Sequence, residues 1–485
     1  MRLVGHTHRP PQAREEHVPL AAGQETLWEL MRALAPSDPG AARLPVVDFR
    51  LLSGELEPAA LEGALGDLIH RHHALRTVFA SADDEPVLHV RPEGQVPLHH
   101  VDLSGLPPAE RSRQLDALVH RERFAVFDLA RGPLWRVHLV RTSAHEYLAA
   151  VSFYHVISDG WACSVFFEDW MHAYRARLGQ RAPQEHLDVS LRDAADQQRA
   201  DLPVSAAHDA YWRARLLPLP TRPVFPPRVR SPEADLTAEV ALPFSFDDST
   251  VGALREVAWR ARTTPFLALL AAYHVLLCHL TRRERLVAGT TTLGRGAGVW
   301  RRVVSQFTNN VYLEIPTSGA SSFLDAVRAT HATMAEAVAH TSSFGRIARA
   351  VRPSFDRERP WPFLNLFDYW FQSAAPAAPD LSHPELSVRQ VGPGGQGALD
   401  TEAPLLRARE VGDSLPVWAR RGVPLVIVDD DRRGGVLVYN RDVYDTGMVA
   451  ELAETYRWFV TAVVTEPERT LRDVLAALPG SARLE

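Results

Sequence analysis

Two hydrophobic periods alternate along this chain. From Glu146 to Phe153 nearly every position is apolar, which predicts a strand buried on both faces. From Trp161 onward Val165, Phe166, Trp170, Ala173 and Tyr174 recur at helical spacing. The polar residues of Ser152-Phe153-Tyr154-His155-Val156-Ile157-Ser158-Asp159-Gly160-Trp161 therefore sit where a strand becomes a helix, with Gly160 at the bend. A histidine at such an edge can face a substrate, and the helix start supplies free N–H groups nearby. By itself so short a pattern fits a buried structural histidine and a helix-capping aspartate better than a site.

The same periods predict helices over 19–34, 58–71 and 111–124 and strands over 44–51, 75–79, 87–90 and 134–140. Residues 175–227 are rich in Arg, Gln and Pro, with helical pieces at 191–199 and 208–216, and read as a connection. Beyond them come strands near 240–246, 286–292, 311–315 and 363–371, and helices over 250–260, 265–280 and 322–340. Thr264 caps the second of these helices and Pro265 takes its first position. The Pro-, Gly- and Ala-rich run 372–404 reads as an exposed excursion. Strands at 423–428 and 436–439 can pair, and a helix over 448–464 follows. Helices against mixed sheets in both halves make an α/β chain, with a flexible N-terminus at 1–16, one lobe at 17–200 and another at 201–485. No direct sequence repeat relates the halves.

Composition removes several functions. All 53 basic residues are arginine, so a P-loop lysine and a Schiff-base lysine are both excluded. The net charge of -6 gives no general attraction to nucleic acid or anionic membrane. The two cysteines, Cys163 and Cys278, lie in apolar helical patterns; they offer neither a disulfide framework nor a zinc site and fit a reducing cytosol. The longest apolar run, 265–280, is short for a membrane span and carries two histidines, so it reads as a buried helix, and no targeting segment is visible.

Further motifs join the central one in order: Gln24-Glu25-Thr26-Leu27-Trp28; Arg71-His72-His73-Ala74-Leu75-Arg76-Thr77; Phe127-Asp128-Leu129 with Gly132-Pro133-Leu134-Trp135-Arg136; Tyr211-Trp212; 289–295 with Gln306-Phe307-Thr308-Asn309-Asn310; and Tyr439-Asn440. Together they resemble the condensation domains of nonribosomal peptide synthetases, within the chloramphenicol-acetyltransferase-like acyltransferases, over nearly the whole chain. The central family motif is His-His-x-x-x-Asp-Gly. Tyr154 replaces its first histidine, His155, Asp159 and Gly160 match, and His73 stands where the second motif usually has Glu.

The resemblance implies two chloramphenicol-acetyltransferase-like lobes in a V with a tunnel between them, and a free-standing, cytoplasmic condensation enzyme. It would transfer an acyl or aminoacyl group from a carrier protein's 4'-phosphopantetheine thioester, supplied in trans, to a small-molecule or carrier-bound amine or alcohol. It implies His155 as base or orienting group, with Tyr154 turned to the interior, and Asp159 held by an ion pair with Arg295. Gly160 is a plausible oxyanion donor. Asp368 is expected on a strand facing the site, as a substrate-binding residue. No metal and no cofactor bound by the chain are expected. Two other readings stand beside this one: an ester-forming acyltransferase using coenzyme A or a carrier, and a non-catalytic platform recruiting tailoring enzymes. The carrier-like serine Ser414 and the Gly294-Arg295-Gly296-Ala297-Gly298 run are read as loop features.

Overall fold

The computed structural model describes residues 16–34, 45–82, 85–123, 125–187, 189–200, 206–219, 224–225, 239–296, 298–317, 321–353, 366–373, 380–383, 385–391, 425–428 and 433–479. Residues 1–15 of the expected flexible start (1–16) and Ser414 lie outside these residues, and Glu16 belongs to a strand.

In chain order the first half forms β1 (Glu16–Pro19), α1 (Ala22–Leu34), β2 (Pro45–Gly54), α2 (Pro58–Arg71), β3 (Thr77–Ala82), β4 (Glu85–Val90), β5 (Leu98–Asp102), α3 (Pro108–Arg123), β6 (Trp135–Ser143), β7 (Glu146–Tyr154) and α4 (Gly160–Arg177). Two connecting helices follow, α5 (Leu191–Ala200) and α6 (Ala206–Leu216). The second half forms β8 (Glu239–Ser245), α7 (Asp248–Arg260), α8 (Pro265–Thr281), β9 (Val287–Thr292), β10 (Asn309–Glu314), α9 (Phe323–Ala339), α10 (Phe344–Val351), β11 (Tyr369–Ser373), β12 (Leu386–Val391), β13 (Leu425–Val428), β14 (Gly434–Asn440), α11 (Thr446–Thr465) and α12 (Leu471–Ala476).

Local chemistry places the helix starts. Thr264 accepts the Leu267 N–H ahead of Pro265 at the head of α8, and Ser322 and Asp325 form a reciprocal capping box on α9. The apolar run of α8 is buried on almost every side, as its composition requires.

Three sheets result, in the orders β1-β4-β3, β12-β2-β7-β6-β5 and β10-β9-β11-β13-β14-β8. The five-stranded sheet is covered on one face by α4, whose Phe166 and Trp170 pack with Trp135, Val151 and Phe153. On its other face Leu115, Leu118 and Val119 of α3 meet Leu148 and Ala150 of β7. Burial from both sides explains why β7 reads as a continuous apolar run.

Sheet topology contains a repeat that the residues do not show. The sets β2-β7-β6-β5 and β8-β14-β13-β11 pair in the same sense, antiparallel, antiparallel and parallel. In each set a hairpin runs into a helix whose N-cap is an aspartate: Asp159 accepts from Ala162 N at 2.8 Å and Asp445 from Met448 N at 3.0 Å. The helices α4 and α11 are thus equivalent in position.

One expectation is corrected here. The described part of 372–404 is not all exposed excursion. Leu386–Val391 forms β12, which pairs antiparallel with β2 and buries Leu386, Val388 and Val391. A strand from beyond residue 200 therefore completes the first sheet, and Val303, Val304 and Phe307 also join the first core. Among the described residues no single helix is long and apolar enough to cross a membrane.

Candidate active site

The site grows from the end of β7. Side chains alternate across a strand, so Tyr154 and His155 diverge. Tyr154 is fully buried, its ring 5.6 Å from that of Phe127. His155 opens a single 3-10 turn, His155–Ile157, and is only half-buried. Its Nδ1 lies 2.8 Å from the Ser158 carbonyl oxygen. A carbonyl can only accept, so Nδ1 carries the proton and, in the neutral ring, Nε2 keeps its lone pair.

Asp159 has no such freedom. At 1% exposure, its Oδ1 accepts from Ala162 N and from Arg295 Nη2, both at 2.8 Å, and its Oδ2 from Phe307 N at 2.9 Å and Thr308 N at 3.3 Å. A carboxylate has about four lone-pair positions, and all are committed. The group caps α4 and binds the second half; it has no site left to take a proton from substrate.

Arg295 is buried as well. It donates through Nη1 to the Trp300 and Val303 carbonyls and through Nη2 to that of Ser305, and its guanidinium lies 4.4 Å from the centre of the Phe307 ring. Gly294 lets the loop turn inward: its φ is +61°, and a Cβ there would come within 1.9 Å of the Phe307 carbonyl oxygen. The glycine-rich run is therefore a clip between halves.

A second tie comes from the Arg71-His72 motif. Arg71 Nε and His72 Nε2 each lie 2.8 Å from Asp169 Oδ2 on α4, while His72 Nδ1 accepts from Val304 N at 3.4 Å. Burial pushes the His72 pKa down, which keeps the ring neutral and Nδ1 able to accept. Burial alone would raise Asp169, but His72 and Arg71 outweigh it and hold the carboxyl at about 2. Sequence reading missed Asp169: it is one acidic residue on a helix, and its partners lie almost a hundred positions away.

Gly160 begins α4, five residues after His155; its N–H and that of Trp161 are not taken by the Asp159 cap, which uses Ala162 N. Trp161 donates through Nε1 to the Arg301 carbonyl at 2.9 Å, and the Arg301 guanidinium lies 5.3 Å from the Trp161 ring centre. Cys163 is 3% exposed and burial pushes its thiol up, against a role as nucleophile.

The structure does not bring Asp368 to this cluster. Its carboxylate accepts from Val287 N at 2.8 Å and faces Arg283 Nη1 at 3.4 Å. Val287 begins β9, whereas the clip follows Thr292 at the other end, about 17 Å along the strand. The carboxylate caps the start of β9. Among the described residues no group of three or more His, Cys, Asp or Glu is placed to hold a metal ion.

Known proteins share this sequence pattern and this fold. The family model for the condensation domain matches residues 15–379. A linear gramicidin synthase polypeptide of Brevibacillus parabrevis is 29% identical over 477 residues, 94% of this chain, yet the chain spans only 6% of that protein's length. SgcC5 from Streptomyces globisporus superimposes with a TM-score of 0.69 at 23% identity, over 93% of this chain and 100% of that one. The X-domain of teicoplanin biosynthesis, in its complex with OxyB, gives a TM-score of 0.70 at 23% identity, over 97% and 99%. The last two likenesses establish the fold, a mixed α/β arrangement of the chloramphenicol-acetyltransferase type.

Proposed function

The chain belongs to the condensation-domain family, and on that premise we propose that it is an acyltransferase forming an amide or ester from a carrier-bound thioester. The observation that carries the reading is the 2.8 Å contact between His155 Nδ1 and the Ser158 carbonyl oxygen, which puts the proton on Nδ1 and leaves Nε2 to act as the base. In this mechanism the acceptor's N–H or O–H gives its proton to Nε2 while its nitrogen or oxygen attacks the thioester carbonyl. The C–N or C–O bond forms, the oxyanion is met by the Gly160 N–H, and the C–S bond then breaks with the proton passing to the leaving thiolate.

Asp159 and Arg295 hold the turn and the clip in register rather than exchange protons. Tyr154 supports the turn from inside. Both substrates would reach His155 between lobes 17–200 and 201–485, on or from 4'-phosphopantetheine arms in the cytoplasm. Holding the two reactants together supplies part of the rate whatever the base contributes.

A second reading, a platform for a tailoring enzyme, draws support from the likeness to the X-domain that forms a complex with OxyB. One experiment separates the two. Acyl-loaded carrier proteins are incubated with the protein and a panel of amines and alcohols, and the carriers are followed by intact mass spectrometry, with acyl-coenzyme A as a parallel donor. The acyltransferase reading expects acyl loss from the carrier matched by a new amide or ester, abolished in His155→Ala. Transfer that His155→Ala leaves unchanged refutes the assignment of the base. Transfer from coenzyme A alone refutes the carrier requirement. A panel without any transfer, together with stable binding of a tailoring enzyme, favours the platform.

A further inference from the structure

Gln24 stands in the first motif of the chain, on α1, and the acyl-transfer reading leaves it without a task. It is 4% exposed, and both ends of its carboxamide are engaged. Oε1 accepts from Ala21 N at 3.0 Å, and Nε2 donates to the Val156 carbonyl oxygen at 2.9 Å, across 132 residues of sequence.

Val156 is the centre of the 3-10 turn that begins with His155. The turn's own closing bond, from Ser158 N to the His155 carbonyl, is long at 3.3 Å. The Val156 carbonyl is thus fixed from outside, and the peptides that follow it lead to the Ser158 carbonyl that receives the His155 Nδ1 proton. Rotation of the turn's peptides would carry that carbonyl off the ring. Gln24 itself has little room to retreat. A Cβ on the neighbouring Gly23 would meet the Thr308 carbonyl oxygen at 2.2 Å, so the start of α1 is wedged against the segment that Asp159 binds.

We propose that Gln24 is a positioning residue for acyl transfer: by anchoring the Val156 carbonyl it keeps the Ser158 carbonyl in line with His155 Nδ1, and so keeps the basic nitrogen at Nε2. This rests on the reading of His155 as the reacting imidazole. Acting through the turn, Gln24 never touches substrate.

Gln24→Glu tests this with almost no change of shape. It keeps the oxygen that accepts from Ala21 N and puts an acceptor where the donor faced the Val156 carbonyl. Gln24→Ala removes both contacts. Thr26→Val is the control: Thr26 is on the same helix and accepts from Phe344 N at 2.9 Å, so its loss loosens α1 without touching the turn. The full chain is labelled with 15N in its histidine rings, and the His155 signals are assigned by their absence in His155→Asn. Spectra at pH 8 report the tautomer, and melting curves are recorded alongside.

Wild type and Thr26→Val should show a single Nδ1–H tautomer. Gln24→Glu and Gln24→Ala should show a mixture of the two, even where they melt no lower than Thr26→Val. With an acyl-loaded carrier that the wild type discharges, kcat should fall about tenfold in the Gln24 variants with KM little changed, the equivalent of one hydrogen bond. A wild-type tautomer in both Gln24 variants, with only the melting temperature lowered, overturns the proposal and leaves Gln24 a packing residue. An Nε2–H tautomer in the wild type overturns it too. Full turnover in His155→Ala would instead refute the assignment of His155 as the base, while the tautomer spectra would still judge Gln24.

Discussion

Removing the Asp159 carboxylate should cost the protein its junction before it costs the fold. In Asp159→Ala the buried Arg295 loses its only ionic partner among the described residues but keeps the carbonyls of Trp300, Val303 and Ser305. Breaking a buried pair from one side costs about 3–5 kcal/mol. The α4 cap that is lost with it adds about 1 kcal/mol, giving about 4–6 kcal/mol. Unfolding entropy of about 2.1 cal/mol/K per residue, over a chain of this length, converts this to a fall of about 4–6 °C in melting temperature. Arg295→Ala should cost less, about 3 kcal/mol, because Asp159 keeps three backbone N–H donors, those of Ala162, Phe307 and Thr308. The double variant should be more stable than the sum of the singles by about 2 kcal/mol. Urea denaturation of the four proteins, with turnover measured on each, completes the cycle. Losses that add within about 0.5 kcal/mol would show that the two groups do not act on each other, and the clip would need another explanation.

Tyr154→Phe should keep most activity and lose about 0.5–1.5 kcal/mol, since the ring stays against Phe127, whereas His155→Ala should lose turnover with little change in melting; the reverse outcome would mean that the wrong side chain faces substrate. His274 is fully buried between the Tyr369 hydroxyl and the Ile315 carbonyl, and burial holds its pKa at about 4. The unfolded chain, titrating near 6.5, binds the extra proton first, so this contribution is complete above about pH 6.5 and is lost as pH falls toward 4, about 3 kcal/mol in all. Urea midpoints at pH 7.5 and 4.5 should differ more in wild type than in His274→Gln, and equal differences would refute the assignment. Burial raises the thiol pKa of Cys163, and that of Cys278 to about 12, so iodoacetamide at pH 8 should label neither before unfolding and both after; rapid native labelling of Cys163 would reopen its case as a nucleophile.

Elements with a strong period were legible in the sequence. The helix expected over 58–71 spans those residues, and the strand and helix flanking His155 begin within a residue of their expected starts, the helix running three residues past Tyr174. Glu16–Pro19, Leu98–Asp102 and Leu386–Val391 escaped, the last two for physical reasons. Leu98–Asp102 is an edge strand on the five-stranded sheet with His99 and His100 exposed, so it carries little alternation. Leu386–Val391 does alternate, but within a Pro- and Gly-rich run whose composition outweighed six residues. Contacts were harder still. The Gln24 to Val156 bond and the Asp169 to His72 bond join positions with no local signal of each other, and only the family resemblance pointed to Arg295. For Asp368, expected to face the site, the carboxylate accepts from the Val287 N–H at the far end of β9.

The internal repeat explains why one half carries the candidate chemistry. Both halves build a hairpin, a turn and an aspartate-capped helix, so the scaffold of the site exists twice. After β7 the turn presents His155 half-buried, and its aspartate, besides capping, draws Arg295, Phe307 and Thr308 from the other half. After β14 the residue in that place, the first beyond the strand and four before the capping Asp445, is Arg441, which is exposed, while Asn440 takes the place of Tyr154, fully buried, with its Oδ1 accepting from Asp442 N at 2.8 Å. A guanidinium has only donors and no acceptor, so Arg441 cannot present a lone pair to a substrate. What separates the two units is therefore the set of segments that dock on the first: Gln24 on the turn, Arg295 and 307–308 on the cap, and Val304 on His72. Exchanging the two turns would carry the histidine to a place without those supports, so transplanting residues 155–160 into the α11 hairpin should yield no second active site.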